Sequence, residues 1–239
     1  MGSAQTIKAW IKRRIMYSGR EETTAIRMKI SASHREGWPY CPPDEGDVLF
    51  HFARKFEGGQ ALEIGMATGS TAGYLLAGMR LGMVTSIDYD QDDHARMGEM
   101  LVRDLGCSER HTLIEQNSVQ VLPELWAKGL TFDLIFLDGW KTFDHIWVDV
   151  FYCAKMLKTD GVMIFDDARM PAVRKCILLL ERYYSFQRLN SYSLVGGWKQ
   201  RAWHFLTSRS LQPPYVVLRK TCEIAETKAG SKYDFWAPF

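Results

Sequence analysis

From residue 60 onward, short apolar runs alternate with longer amphipathic stretches, and this alternation limits the fold more than any other feature of the chain. The apolar runs are residues 61–64, 83–87, 111–114, 134–137 and 162–165. Helical periodicity is found at residues 71–81, 92–105, 119–127, 143–157 and 171–184. Alternating strands and helices predict parallel strands with crossover helices, and continuously apolar strands fit a sheet that is buried on both faces. The sequence therefore predicts a doubly wound α/β fold.

The regions on either side of this alternation complete the predicted organisation. Two further apolar runs, at 186–194 and 215–218, predict a mostly parallel sheet of seven strands. Residues 1–58 read as an N-terminal helical cap of the same domain, with a turn-rich segment at 31–46 between two helical stretches. We expect the core to span residues 59–220 and a tail with several aromatic residues to follow at 221–239.

Composition excludes several classes of protein. The net charge is only +2, so charge gives no reason to expect a nucleic acid or a membrane as partner. The five cysteines form no Cys-x-x-Cys pair, which argues against a zinc site or a disulfide framework. Because no signal peptide or membrane-spanning run is visible, we expect a cytoplasmic protein. The basic N-terminal helix and the aromatic tail favour contact with a partner, and a homodimer is the simplest case.

Glycines and an acidic residue follow the first predicted strand. Gly65 and Gly69 let the backbone turn tightly and approach a ligand closely. Their spacing differs from the G-x-G-x-x-G loop that binds the diphosphate of a dinucleotide. The carboxylate of Glu63, just before the loop, suits a ligand with an ammonium group. The alternative is an ordinary strand-to-helix turn without a ligand.

The second strand ends in Asp88 and Tyr89. An acidic residue at this place can accept hydrogen bonds from the two hydroxyl groups of a ribose, and ligands of such sheets bind beyond the carboxyl ends of the strands. The alternative is that the acidic residues here, Asp90 or Asp92 among them, cap the next helix.

Three more carboxylates, those of Asp138, Asp166 and Asp167, follow the fourth and fifth strands. Carboxylates at neighbouring strand ends repel one another unless a positive charge lies between them. A divalent cation with oxygen ligands is the simplest such charge. The alternative is that these residues cap helices and pair with Arg169 or Lys141.

The stretch from 62 to 167 resembles the class I S-adenosylmethionine-dependent methyltransferases. The loop L-E-I-G-M-A-T-G-S and the acidic end of the next strand match that class in order and spacing. Within the class, F-D-L-I-F-L-D-G-W-K is similar to the catechol and caffeoyl-CoA O-methyltransferases. The resemblance implies a Rossmann-like sheet and S-adenosylmethionine as the cofactor.

The resemblance also implies a role for individual residues. The methionine part of the donor would be held by Glu63 and by the loop residues Gly65, Met66, Ala67, Thr68, Gly69 and Ser70. The ribose and the adenine would be bordered by Asp88, Tyr89, Ser118, Val119, Asp138 and Trp140. For Trp140 two possibilities stay open, since the indole could cover the adenine face or pack in the core.

The activity that we expect is methyl transfer to a hydroxyl group of a small molecule, assisted by a divalent metal. By the same resemblance, Asp138, Asp166 and Asp167 would bind Mg²⁺, and Lys141 would act as the base beside Asp138. Asp167 stands where the catechol enzymes have Asn, although related sugar and macrolide O-methyltransferases carry Asp-Asp. Two alternatives remain: a metal-independent N- or O-methyltransferase that acts by proximity, and a non-catalytic binding module on the same fold.

Overall fold

The computed structural model describes residues 21–89, 94–189 and 214–223. Within these ranges the helices are α1 (Glu21–Ser33), α2 (Pro43–Lys55), α3 (Ser70–Gly78), α4 (His94–Asp104), α5 (Ser118–Ala127), α6 (Phe143–Met156) and α7 (Pro171–Tyr183). The strands are β1 (Gln60–Ile64), β2 (Met83–Asp88), β3 (His111–Glu115), β4 (Phe132–Leu137), β5 (Leu157–Phe165), β6 (Phe186–Leu189) and β7 (Val216–Lys220).

The strands form a seven-stranded sheet in the order β3-β2-β1-β4-β5-β7-β6. The first five are parallel to their neighbours, whereas β7 runs antiparallel to both β5 and β6. The prediction of a doubly wound, Rossmann-like sheet is therefore confirmed. The order reverses between β1 and β4, which places the switch point beside the loop that follows β1.

Each face of the sheet buries its own hydrophobic cluster because successive strand residues point to opposite sides. Leu62 and Ile64 of β1 pack on one face with side chains from α5, α6 and α7. Ala61 lies in the second cluster, on the other face, together with residues from α1 to α4. Packed helices therefore cover the sheet on both of its faces.

The N-terminal cap packs into this second cluster rather than forming a core of its own. Val48, Leu49 and Phe52 of α2 are fully buried there. At the crossing of α2 and α3, a Cβ atom built on Gly78 would lie 2.6 Å from the Cβ of Ala53 and 2.8 Å from the carbonyl oxygen of Phe50. Only a residue without a side chain allows the two helices to come so close.

Several predicted boundaries differ from those of the structure. The helix expected from residue 47 begins at Pro43, because proline fits the first position of a helix, where its missing N–H is not needed. The strand expected from 162 begins at Leu157. The first helix is predicted at residues 4–30; its residues 21–30 lie in α1, which continues to Ser33. The part before residue 21, strand residues 190–194 and most of the tail lie outside the described residues. Within the described ranges, no helix has the length and apolar character that crossing a membrane would require.

Because α2 and α3 cross so closely, a single methyl group added at Gly78 should destabilise the folded protein measurably. Gly78→Ala should lower the free energy of unfolding by about 1–3 kcal/mol, because the new Cβ would displace the backbone of α2. Gly58→Ala is the matched control, since a Cβ atom at that position would meet no atom within 4 Å. Urea denaturation followed by circular dichroism measures both. Equal stability of the two variants would contradict the inferred crossing.

Candidate functional site

Backbone hydrogen bonds continue across the sheet beyond the ends of its strands and bring four loops to one edge. These bonds are Gly65 N to Ile87 O (2.9 Å), Asp138 N to Ile64 O (2.8 Å) and Asp166 N to Leu137 O (3.1 Å). The segments that follow β2, β1, β4 and β5 therefore leave the sheet side by side. The predicted metal residues and the predicted loop residues from Gly65 to Ser70 lie on these segments, whereas Ser118 and Val119 follow β3.

The loop after β1 is held in place by the carboxylate of Asp88. One oxygen, Oδ2, accepts hydrogen bonds from Met66 N (2.8 Å) and Ala67 N (2.6 Å). Gly65 has a φ of 87°, and a Cβ atom there would lie 2.5 Å from the carbonyl oxygen of Asp138. The glycine thus lets the loop touch the end of β4. The predicted contact of Asp88 with a ribose stays a prediction, but its carboxylate already determines the loop conformation.

Glu63 lies beneath this loop rather than within it. Its side chain is fully buried, and its two oxygens accept hydrogen bonds from the hydroxyl groups of Thr71 and Ser86. Burial raises the pKa of Glu63 to about 7, although the two hydrogen bonds lower it. Glu63 therefore joins β1 to β2 and to the first turn of α3. Its predicted contact with a ligand ammonium group stays a prediction.

The cap is hydrogen-bonded to the same loop. Thr68 Oγ1 donates to the carbonyl oxygen of Pro39 (2.7 Å), and Cys41 N donates to Ser70 Oγ (2.9 Å). These bonds anchor the carboxyl end of the turn-rich segment at 31–46. The orientation of α2, which begins two residues after Cys41, is consequently tied to the candidate cofactor loop.

Asp138, Asp166 and Asp167 come together beside the loop, and we call them the acidic centre. They offer three oxygen atoms that all lie within 4.8 Å of one another. Lys141 Nζ lies 2.7 Å from Asp138 Oδ1 and 3.9 Å from Asp167 Oδ2. Part of the alternative explanation, pairing with Lys141, is thus present. The other part, helix capping, is absent, because α6 and α7 begin after Thr142 and Met170 without a side-chain cap.

Burial and mutual repulsion make the acidic centre costly to ionise. Burial raises the pKa of Asp166 to about 7, and the charge of Asp138 adds to this effect. Burial also raises the pKa of Asp138, although Lys141 lowers it. A group of carboxylates in this state gains most from a bound cation, which would stabilise their charged forms.

Glu45, in the first turn of α2, is a further carboxylate at this place that the sequence analysis missed. Only 4% of its surface is exposed, and it shares a side-chain hydrogen bond with Asp166. Burial, followed by the charges of Asp166 and Asp138, raises its pKa well above the ordinary value. The sequence does contain a helix-start signal, proline followed by acidic residues, but it gives no sign that this helix reaches the sheet edge.

The predicted adenine side lies at the start of α5, after β3. Asn117 Oδ1 accepts a hydrogen bond from Val119 N (3.1 Å) and so caps α5, while Ser118 hydrogen-bonds the buried Asp149. Trp140 is 69% exposed, so the expectation that it packs in the core is wrong, and covering the adenine stays a prediction. Tyr89 is 70% exposed and equally free of core packing.

A family model described as a methyltransferase domain matches residues 62–168. The match extends from the third residue of β1 to beyond the end of β5 and includes every predicted site residue, from Glu63 to Asp167. It agrees with the methyltransferase class that the loop and strand-end motifs predict, over slightly less than half of the chain. No curated protein sequence matches the chain.

Solved structures of similar fold include three proteins with low sequence identity. The cofactor-bound Rv0187 from MTB is 15% identical with a TM-score of 0.62, covering 92% of this chain and 98% of its own. An O-methyltransferase from Bacillus cereus in complex with SAH is 16% identical with a TM-score of 0.61, covering 77% and 89%. The O-methyltransferase TomG from Streptomyces achromogenes, involved in tomaymycin synthesis and bound to SAM, is 14% identical with a TM-score of 0.62, covering 93% and 100%. At such identities the likeness establishes the fold.

The buried position of Glu63 predicts a pH-dependent loss of stability. Since the pKa of Glu63 is about 7 in the folded chain and near 4.5 for an unperturbed glutamate, the folded protein holds the proton more tightly than the unfolded chain. Stability should therefore fall as the pH rises between these values. From pH 5 to pH 8, wild-type protein should lose about 2–3 kcal/mol relative to Glu63→Gln. Urea denaturation of both proteins without cofactor measures this difference, and parallel pH profiles would contradict it.

Proposed function

We infer that this S-adenosylmethionine-dependent methyltransferase, whose class I domain spans residues 62–168, methylates a hydroxyl group of a small molecule with the help of a divalent cation. The observation that supports this most is the position of the acidic centre. Gly65, in the candidate donor loop, touches the backbone of Asp138, and Asp138 is paired with Lys141. A donor, an acceptor and a base would thus meet at one sheet edge.

The residues of the acidic centre fit a magnesium ion. All three donors are carboxylate oxygens, which Mg²⁺ prefers. They lie within 4.8 Å of one another, so all three could reach one cation placed between them. A bound cation would polarise an acceptor hydroxyl group and favour its loss of a proton. Asp138, Asp166 and Asp167 would hold the cation.

The protein's own residues would align the donor and accept the proton. The loop from Gly65 to Ser70, clamped by Asp88, would fix the donor so that its methyl group points at the acceptor, and such alignment supplies much of the rate enhancement. The acceptor oxygen forms a bond to the methyl carbon while the carbon–sulfur bond breaks. With a cation bound to the carboxylates, Lys141 would act as the neutral amine, and its Nζ atom, which Asp138 keeps within reach, would accept the hydroxyl proton.

A metal-independent transfer is the second candidate, and one observation favours it. Lys141 already neutralises part of the acidic centre through its contacts with Asp138 and Asp167. In that case proximity of donor and acceptor would drive the reaction, and the methylated atom could be nitrogen or oxygen. The carboxylates would then serve to hold Lys141. This candidate and the proposed function differ in their response to a chelator.

A transfer assay with labelled S-adenosylmethionine and a panel of small hydroxylated acceptors tests the proposal. Turnover should require a divalent cation, with magnesium effective, and Lys141→Ala should lower it by about a hundredfold or more. Lys128→Ala is the control, because Lys128 is an exposed lysine in the same domain that makes only a long ion pair with Glu124.

Undiminished turnover in excess chelator would eliminate the metal and support the metal-independent candidate. Transfer to amines but to no hydroxylated compound would overturn the assignment of oxygen as the acceptor atom.

A further inference from the structure

We propose that Glu45 is a fourth carboxylate ligand of the cation at the acidic centre, so that the N-terminal cap completes the metal site. The inference rests on the proposed function, since it concerns the same cation. Glu45 lies outside the matched domain, because α2 ends at Lys55 and the match begins at residue 62. The metal site would then join the cap to the sheet.

The hydrogen bonding of the Glu45 side chain is the main observation behind this proposal. Its Oε1 atom is buried and has no hydrogen-bond partner, while the side chain bonds Asp166 of the acidic centre. A buried carboxylate oxygen without a hydrogen-bond partner destabilises the folded protein unless something binds it. The group that would satisfy it here must be positive or a donor, and it must lie beside Asp166.

The charges at this place point to a cation rather than to a neutral donor. Glu45 brings the number of carboxylates to four, and Asp166 and Asp138 act on it more strongly than any other charged group. Lys141 supplies one positive charge to this group through Asp138 and Asp167. A divalent cation would compensate two more charges and use the unpaired oxygen as a ligand.

The backbone around Glu45 is held from both sides. The amide of Cys41 is bonded to Ser70 of the cofactor loop, and a side chain at Gly46 would run into the buried ring of Tyr74. The first turn of α2 is therefore fixed against both α3 and the loop. With four protein oxygens, an octahedral cation keeps two positions for water or acceptor oxygens.

The binding of Mg²⁺ and Mn²⁺ to the full-length chain, measured by calorimetry without donor or acceptor, tests the proposal. Glu45→Gln should weaken the affinity for both ions at least tenfold. It should also add one water molecule to bound Mn²⁺, which the relaxation of water protons reports. Thermal unfolding and the affinity for S-adenosylhomocysteine should stay close to wild type, which shows that the variant is folded.

Asp44→Asn is the matched control for a purely electrostatic effect. Asp44 is the preceding residue, is also buried and acts on Glu45 through its charge. Its variant should weaken cation binding less and leave the water count of Mn²⁺ unchanged. The proposal is overturned if Glu45→Gln binds the ions as wild type does, or if both variants weaken binding equally at an unchanged water count.

Asp166→Asn separates this proposal from the one on which it rests. If wild-type protein binds the cation, Asp166→Asn does not, and Glu45→Gln binds it normally, the three-aspartate site stands and the role of Glu45 is wrong. If wild-type protein binds neither ion at millimolar concentration, the metal-assisted function and the role of Glu45 are both wrong.

Discussion

The hydrogen bonds from the amides of Met66 and Ala67 to Asp88 determine how the rest of the site is arranged. They fix the loop after β1, and two other parts of the protein contact that loop. Gly65 touches the end of β4 at Asp138, while Thr68 and Ser70 bond the cap. Because one carboxylate oxygen accepts two backbone N–H groups, the loop has a defined conformation before any ligand binds. Such preorganisation lowers the cost of aligning two reactants.

The electrostatic character of the site follows from the geometry of the sheet. Parallel strands end at the same edge, so carboxylates that are far apart in sequence meet there, where they are partly shielded from water. Burial and mutual repulsion then raise the pKa values of Asp138, Asp166 and Glu45. A protein can keep such a group when it serves to bind a cation. With Glu45 as a ligand, the cap becomes part of the site, because α2 supplies one of these carboxylates.

The sequence predicts the sheet and the strand-end residues well because both depend on local pattern. Seven apolar runs become seven strands, and the residues that directly follow them, such as Asp88 and Asp138, are brought to one edge by topology alone. The positions that the sequence does not predict depend on packing between segments that are distant in the chain. Glu45 lies beside Asp166 because α2 packs against α3 and because Cys41, just before α2, is bonded to Ser70. Likewise, the burial of Glu63 beneath Thr71 and Ser86 is decided by the pairing of β1 with β2 and by the packing of α3.

Ligand binding to the loop that Asp88 holds is the sharpest test of this arrangement. Calorimetry should show that the full-length chain binds S-adenosylhomocysteine at micromolar affinity and does not bind NAD. Asp88→Ala should weaken that binding by about 1–3 kcal/mol, because the loop loses its clamp and the ligand loses charge-assisted hydrogen bonds. Substitution of the exposed Asp104 by Ala should leave it unchanged. Tight binding of NAD, or an Asp88→Ala variant that binds S-adenosylhomocysteine as wild type does, would contradict the role assigned to the loop.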